Sequence, residues 1–146
     1  MLTTAEETER FGARLAPLLR AGDAVALFGE LGTGKTTLTR GVLRGLGFHG
    51  DVASPTFPIV QTYEPPQARL PVWHVDLYRI EDPAEIDELG LDEARADSAL
   101  IVEWPERLGS SLWPDALRLF LAEDRHGARA LTAEVPAAWG ERWPPR

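Results

Sequence analysis

Eight consecutive residues, Gly29-Glu30-Leu31-Gly32-Thr33-Gly34-Lys35-Thr36, carry the pattern of a phosphate-binding loop. Glycines open and close a four-residue spacer, and a lysine and a hydroxyl come next. In a chain of 146 residues a chance match is on the order of one in a few hundred. Each residue type has a physical reason. Glycines let the backbone curl so that successive N–H groups converge on an anion. A helix opening directly afterwards adds its unpaired N–H groups and the positive end of its dipole. Lys35 is expected to bridge the β- and γ-phosphates of ATP and to counter charge that develops during transfer. The Thr36 hydroxyl is expected to ligate magnesium, and Thr37 to touch the α-phosphate.

Lys35 is the only lysine among 15 basic residues; all the others are arginine. Arginine replaces lysine readily on a surface. At a crowded phosphate site a compact ammonium and a planar fork are not equivalent. A lysine retained at this one position is therefore doing work specific to lysine.

Magnesium held by phosphates needs carboxylates nearby, directly or through water. Asp76 comes after Val72-Trp73-His74-Val75, and Glu103 closes Leu100-Ile101-Val102. Both runs read as strands. Ligands of an open parallel sheet sit beyond the carboxyl ends of its strands, where the glycine loop also lies. Asp76 and Glu103 are thus placed to face one magnesium ion. One would hold the metal while the other orients or deprotonates the attacking water.

The elements that must position these groups can be read from local patterns. Thr3 and Thr4 with Glu6 and Glu7 form a helix-starting capping box, and Phe11, Leu15, Leu18 and Leu19 recur at helical spacing. Pro17 should end or kink that helix near Ala16. Ala24 to Phe28 is an apolar run expected of a strand buried on both faces. Leu38, Val42, Leu43 and Leu46 mark one face of the helix after the loop, which should end near Gly45 to Gly47. Further strands are expected at 59–62, 72–77 and 99–103. A helix should start at Asp82-Pro83 and close at Gly90, with a short helical piece over 91–96. Leu117 to Ala122 and Ala130 to Val135 read as antiparallel strands, and the Pro/Trp-rich end 139–146 as a loosely ordered tail. The sum is one α/β domain, with its core over about 4–135, a mainly parallel central sheet, antiparallel C-terminal strands and helices on both faces.

Composition narrows the functional classes. The net charge is −8, and no basic cluster occurs along the chain. A protein that grips nucleic acid alone usually shows a basic face, so DNA binding is not expected and any RNA would be held by a partner. With no cysteine, thiolate metal sites and cysteine nucleophiles are excluded. No apolar run approaches a membrane span, and the polar, acidic N-terminus does not read as a signal or transit peptide. A cytoplasmic location is expected.

Four segments in series carry a resemblance. The loop with Thr37, Ser54-Pro55-Thr56-Phe57, His74-Val75-Asp76-Leu77-Tyr78-Arg79 and Glu103-Trp104-Pro105-Glu106 occur in the order and spacing of bacterial TsaE proteins. The resemblance runs from about Thr4 to Val135. One departure is Thr33, where alanine is common. The resemblance implies a single-domain P-loop ATPase of weak intrinsic activity. It implies work with the TsaD and TsaB proteins in making N6-threonylcarbamoyladenosine at position 37 of tRNAs that read ANN codons, with hydrolysis resetting that assembly. It makes Thr36 and Glu103 magnesium ligands and Asp76 the second acid. It makes 54–57 a switch-like loop in which Thr56 senses the γ-phosphate or the attacking water, and it sets Trp104 beside the nucleotide. Thr8 and Arg129 are further candidates for the nucleotide's base and outer edge. His74 shares a side of its strand with Asp76 and is read as orienting a loop; Tyr78 and Arg79 could meet nucleotide or partner.

Two rivals fall on missing segments. Guanine selection by Asn-Lys-x-Asp is closed because the sole lysine lies in the loop, and no transporter-type Leu-Ser-Gly-Gly segment occurs. A small-molecule kinase and a nucleotide-gated interaction module of negligible catalysis stay open as alternatives.

Overall fold

A computed structural model describes residues 4–30, 34–50, 52, 60–78, 80–123 and 129–145. Thr4 caps the first helix, α1 (Ala5–Leu15), by accepting from the Glu7 amide at 3.1 Å. Proline at the second position of the next turn ends the α-helical ladder, and Ala16–Leu18 is a 3₁₀ turn. Strand β1 (Ala24–Phe28) leads through the glycine segment into α2 (Lys35–Gly45). Then come β2 (Val60–Tyr63), β3 (Val72–Asp76), α3 (Pro83–Glu88), α4 (Leu91–Ala94) and β4 (Ala99–Glu103). A 3₁₀ segment, Pro105–Ser111, precedes β5 (Leu117–Glu123) and β6 (Arg129–Glu134).

The six strands form one sheet in the order β2-β3-β4-β1-β5-β6. The inner four, β3, β4, β1 and β5, run parallel, and β2 and β6 close the edges antiparallel. Strand β5 is expected from its sequence beside β6. It also pairs in parallel with β1, Val25 facing Leu117 and Phe28 facing Phe120. Tertiary pairing of this kind leaves no local signal. The carboxyl ends of β1, β3 and β4 consequently lie side by side. Leu27 faces Glu103, and Glu103 faces Asp76.

Each face of the sheet carries its own core. On one, α1 and α2 cover Val25, Leu27, Ile101, Leu117 and Leu119; on the other, α3 and α4 cover Ala24, Val75, Leu100 and Val102. Burial on both faces explains the unbroken apolar runs in β1 and β4. The Pro/Trp-rich end corrects the expectation of a loosely ordered tail. Trp139 is 1% exposed, and Arg142 stacks over it at 4.1 Å. Arg142 forks onto Asp23 at 2.7 and 3.0 Å and donates to the Leu18 carbonyl. Trp143 meets Phe11 edge-on. A bidentate, partly buried ion pair with a stacked aromatic is long-range and cannot be read from a short polar sequence.

Helix α2 is set by close approach to α1. A Cβ at Gly41 would collide with the Glu9 carbonyl, and one at Gly12 with the Leu38 carbonyl. Backbone cannot yield as a side chain can. We expect Gly41→Ala to lower stability by about 1–3 kcal/mol in chemical denaturation, the range for overpacking. A change within about 0.5 kcal/mol of zero, the usual range for an inert surface site, would show that the crossing is looser than this.

Candidate functional site

Gly29 leaves β1 with φ 148°, and Gly34 enters α2 with φ 103°. Side chains rarely adopt the Gly34 conformation, which explains glycine as the cap of this helix. The first bond of the α2 ladder runs from the Leu38 amide to the Gly34 carbonyl at 2.9 Å. Amides 35–37 therefore precede the ladder and belong to the helix's N-terminal end. Just before Gly29, Phe28 stacks on Phe120 at 4.6 Å.

Lys35 is the first residue of α2, and it is 4% exposed. Its Nζ donates to the Gly29 carbonyl at 2.6 Å and lies 4.3 Å from the centre of the Trp104 ring. Burial pushes the ammonium below its ordinary pKa, against the opposing pull of Glu103, Asp76 and Glu106. A desolvated cation held by one carbonyl, an aromatic face and nearby acids is poised for an anion that can bring more oxygen atoms.

Glu103 ends β4 and is 3% exposed; its Oε2 lies 2.5 Å from His74 Nε2. Asp76, its register partner on β3, is half-buried and accepts from the Tyr78 amide through Oδ1 at 3.0 Å. Burial raises the Asp76 pKa; the Tyr78 amide opposes that shift and Glu103 adds to it. Trp104 turns the chain away from β4 with φ 57° and ψ 49°. It is the one non-glycine with positive φ among the described residues. That geometry costs roughly 1–2 kcal/mol, and it accompanies an indole laid over Lys35. Tyr78 packs against the same indole at 4.9 Å, and its carbonyl accepts from Arg107.

The structure thus brings together Gly29, Lys35, Asp76, Glu103 and Trp104 from the expected set. Thr36 and Thr37 are half-buried in the first turn of α2, and Glu30 is exposed beside Gly29. Thr8 is fully buried on α1, its hydroxyl donating to the Thr4 carbonyl at 3.2 Å. Leu31, Gly32, Thr33, Thr56 and Arg79 lie outside the described residues, as does the Arg129 side chain. Sequence reasoning missed three features. The His74–Glu103 pair spans two strands whose register is not local. Glu106 acts on Lys35 across the Trp104 turn. The left-handed Trp104 has no compositional mark.

No group of three or more His, Cys, Asp or Glu that could cage a metal occurs among the described residues. The donor set nonetheless fits magnesium, which takes one or two carboxylates, retains waters and draws other ligands from phosphate. Thr36, Glu103 and Asp76 are the oxygen donors that could serve.

Sheet, loop and acids define a class: an open, mainly parallel α/β protein with its polar groups gathered beyond the carboxyl ends of β1, β3 and β4. Within that class the chain belongs to the TsaE family. The family model described as threonylcarbamoyl adenosine biosynthesis protein TsaE matches residues 2–131. The tRNA threonylcarbamoyladenosine biosynthesis protein TsaE of Streptomyces coelicolor is 44% identical over 137 residues, 90% of each chain. The protein of that name from Bacillus subtilis is 37% identical over 128 residues, 87% of this chain and 78% of the relative. The crystal structure of Bacillus subtilis YdiB superposes with a TM-score of 0.80 at 29% identity, covering 95% of this chain and 86% of the other.

The raised Asp76 pKa has a sign that can be checked. Protonating Asp76 contributes stability that is complete below the ordinary aspartate value and is lost as the pH rises through the raised folded value. Asp76→Asn keeps an oxygen for the Tyr78 amide. At neutral pH the nucleotide-free variant is expected to melt above the parent, with the two midpoints converging in acid. A variant that melts lower at neutral pH would contradict the assignment.

Proposed function

We propose that this protein is a magnesium-dependent, weakly hydrolysing ATP-binding accessory protein in the synthesis of N6-threonylcarbamoyladenosine at position 37 of tRNAs reading ANN codons. It acts on a complex of TsaD and TsaB proteins in the cytoplasm. The observation that carries this reading is Lys35: a lone, buried lysine at a helix N-terminus, bonded to Gly29 O and flanked by Glu103 and Asp76. Family membership supports the tRNA context. The net charge of −8 fits a protein that meets tRNA only through its partners.

In this reading residues 29–37 wrap the phosphates of ATP with main-chain amides. Lys35 exchanges the Gly29 carbonyl for β- and γ-phosphate oxygens. Thr36 and Glu103 would hold magnesium, which would supply positive charge to neutralise the phosphates. Asp76 orients the attacking water and accepts its proton, as a carboxylate of raised pKa can. Water attacks the γ-phosphorus, the bond to the β–γ bridging oxygen breaks, and ADP and phosphate leave. Trp104 flanks the nucleotide, with Thr8 and Arg129 assigned to its base and outer edge and Thr56 to sensing the γ-phosphate.

We expect Lys35→Ala to weaken ATP binding at least about tenfold and to abolish phosphate release, since it removes the only ammonium at the site. Glu103→Gln keeps an oxygen for His74. It should bind ATP within a few-fold of the parent while hydrolysis falls about 100-fold or more. Calorimetry and phosphate-release assays, with and without the TsaD–TsaB pair, check both. Phosphate delivered to a small acceptor instead of water would make the protein a kinase. Binding without turnover, with or without partners, would make it a nucleotide-gated module.

A further inference from the structure

His74 is fully buried on β3, and its Nδ1 has no hydrogen-bond partner among the described residues. Its Nε2 lies 2.5 Å from Glu103 Oε2. The two residues are not register partners: His74 faces Ile101, and Glu103 faces Asp76. The Glu103 carboxylate is therefore joined to an imidazole two register positions away from its own.

The protons of this pair can be placed by counting donors. An imidazolium would bury an Nδ1–H with no acceptor. A protonated Glu103 donating to Nε2 would leave the ring proton on Nδ1, with the same orphan donor. A neutral ring protonated at Nε2 leaves only an unfilled lone pair at Nδ1. Orphaned buried N–H groups are costlier and rarer than under-used acceptors. The ring is therefore the Nε2–H tautomer, donating to an ionised Glu103.

We propose that His74 is a positioning residue that fixes the Glu103 carboxylate through Oε2, so that Oε1 and the other lone pairs of the group keep one orientation at the metal and phosphate site. The proposal rests on the functional reading above and deepens it. A buried carboxylate without such a donor can rotate, and a rotated carboxylate turns its free lone pairs away from a hard cation. Residues that orient a metal-binding carboxylate or imidazole in this way typically matter by about 10–100-fold in metal affinity or activity.

Two measurements test it. In the nucleotide-free protein, ¹⁵N spectra of labelled histidine side chains contain three residues, His49, His74 and His126, and His74 is assigned by its loss in His74→Gln. We expect His74 to be protonated at Nε2 and bare at Nδ1; a proton on Nδ1 overturns the proposal and needs no active enzyme to do so. The second compares His74→Leu with His74→Gln, whose amide nitrogen can replace Nε2–H. His74→Leu should raise the magnesium concentration for half-maximal hydrolysis and lower kcat, each about 10–100-fold, with the KM for ATP at saturating magnesium little changed. His74→Gln should recover most of both losses. Equal impairment of the two variants, or parental behaviour in both, would sink the positioning role. Parental protein that shows no magnesium-dependent hydrolysis would instead remove the ATPase reading, and the tautomer result would stand by itself.

Discussion

One buried ammonium organises this protein. Taking a charged amine out of water costs several kcal/mol unless it is paired, and Lys35 is nearly as buried as the core leucines. The surroundings answer that cost piecemeal. Gly29 supplies a carbonyl, Trp104 an aromatic face, and Glu103, Asp76 and Glu106 a negative field. None of these alone is a full partner. The depressed pKa of Lys35 says that compensation is incomplete, which is the state expected of a cation awaiting an anionic ligand.

The sheet exists in this form so that those groups meet. Strands β1, β3 and β4 are adjacent and parallel, so their carboxyl ends deliver the loop, Asp76 and Glu103 to one line. The close crossing of α1 and α2 at Gly12 and Gly41 fixes where α2 begins. The two apolar cores underwrite a site that is locally unfavourable. Asp76 is partly desolvated, Trp104 sits in the left-handed region, and His74 carries an unfilled acceptor. Costs of this kind gather at functional sites because a stable scaffold can hold them.

Much of this was legible in the sequence, and the limits have physical causes. The glycine loop was legible because each of its residue types answers a local need. Strands β1 and β4 were legible because burial on both faces writes a continuous apolar run. Asp76 and Glu103 could be placed at one edge because parallel sheets gather ligands there. The pairing of His74 with Glu103 was not legible, since it depends on a register between segments 29 residues apart in sequence. The same holds for β5 beside β1 and for Arg142 reaching Asp23 across 119 residues. The left-handed turn at Trp104 answers to tertiary packing around Lys35 and Tyr78, and tryptophan itself gives no hint of it.

The most direct measurement uses the fact that the chain has one lysine. Protein labelled with ¹³C at the lysine ε-carbon gives a single lysine signal, and its pH titration reports Lys35 alone. We expect a pKa below the ordinary lysine value in the free protein and a marked rise with ATP and magnesium, as phosphate oxygens replace the Gly29 carbonyl. An ordinary titration curve that ATP and magnesium leave unchanged would contradict it.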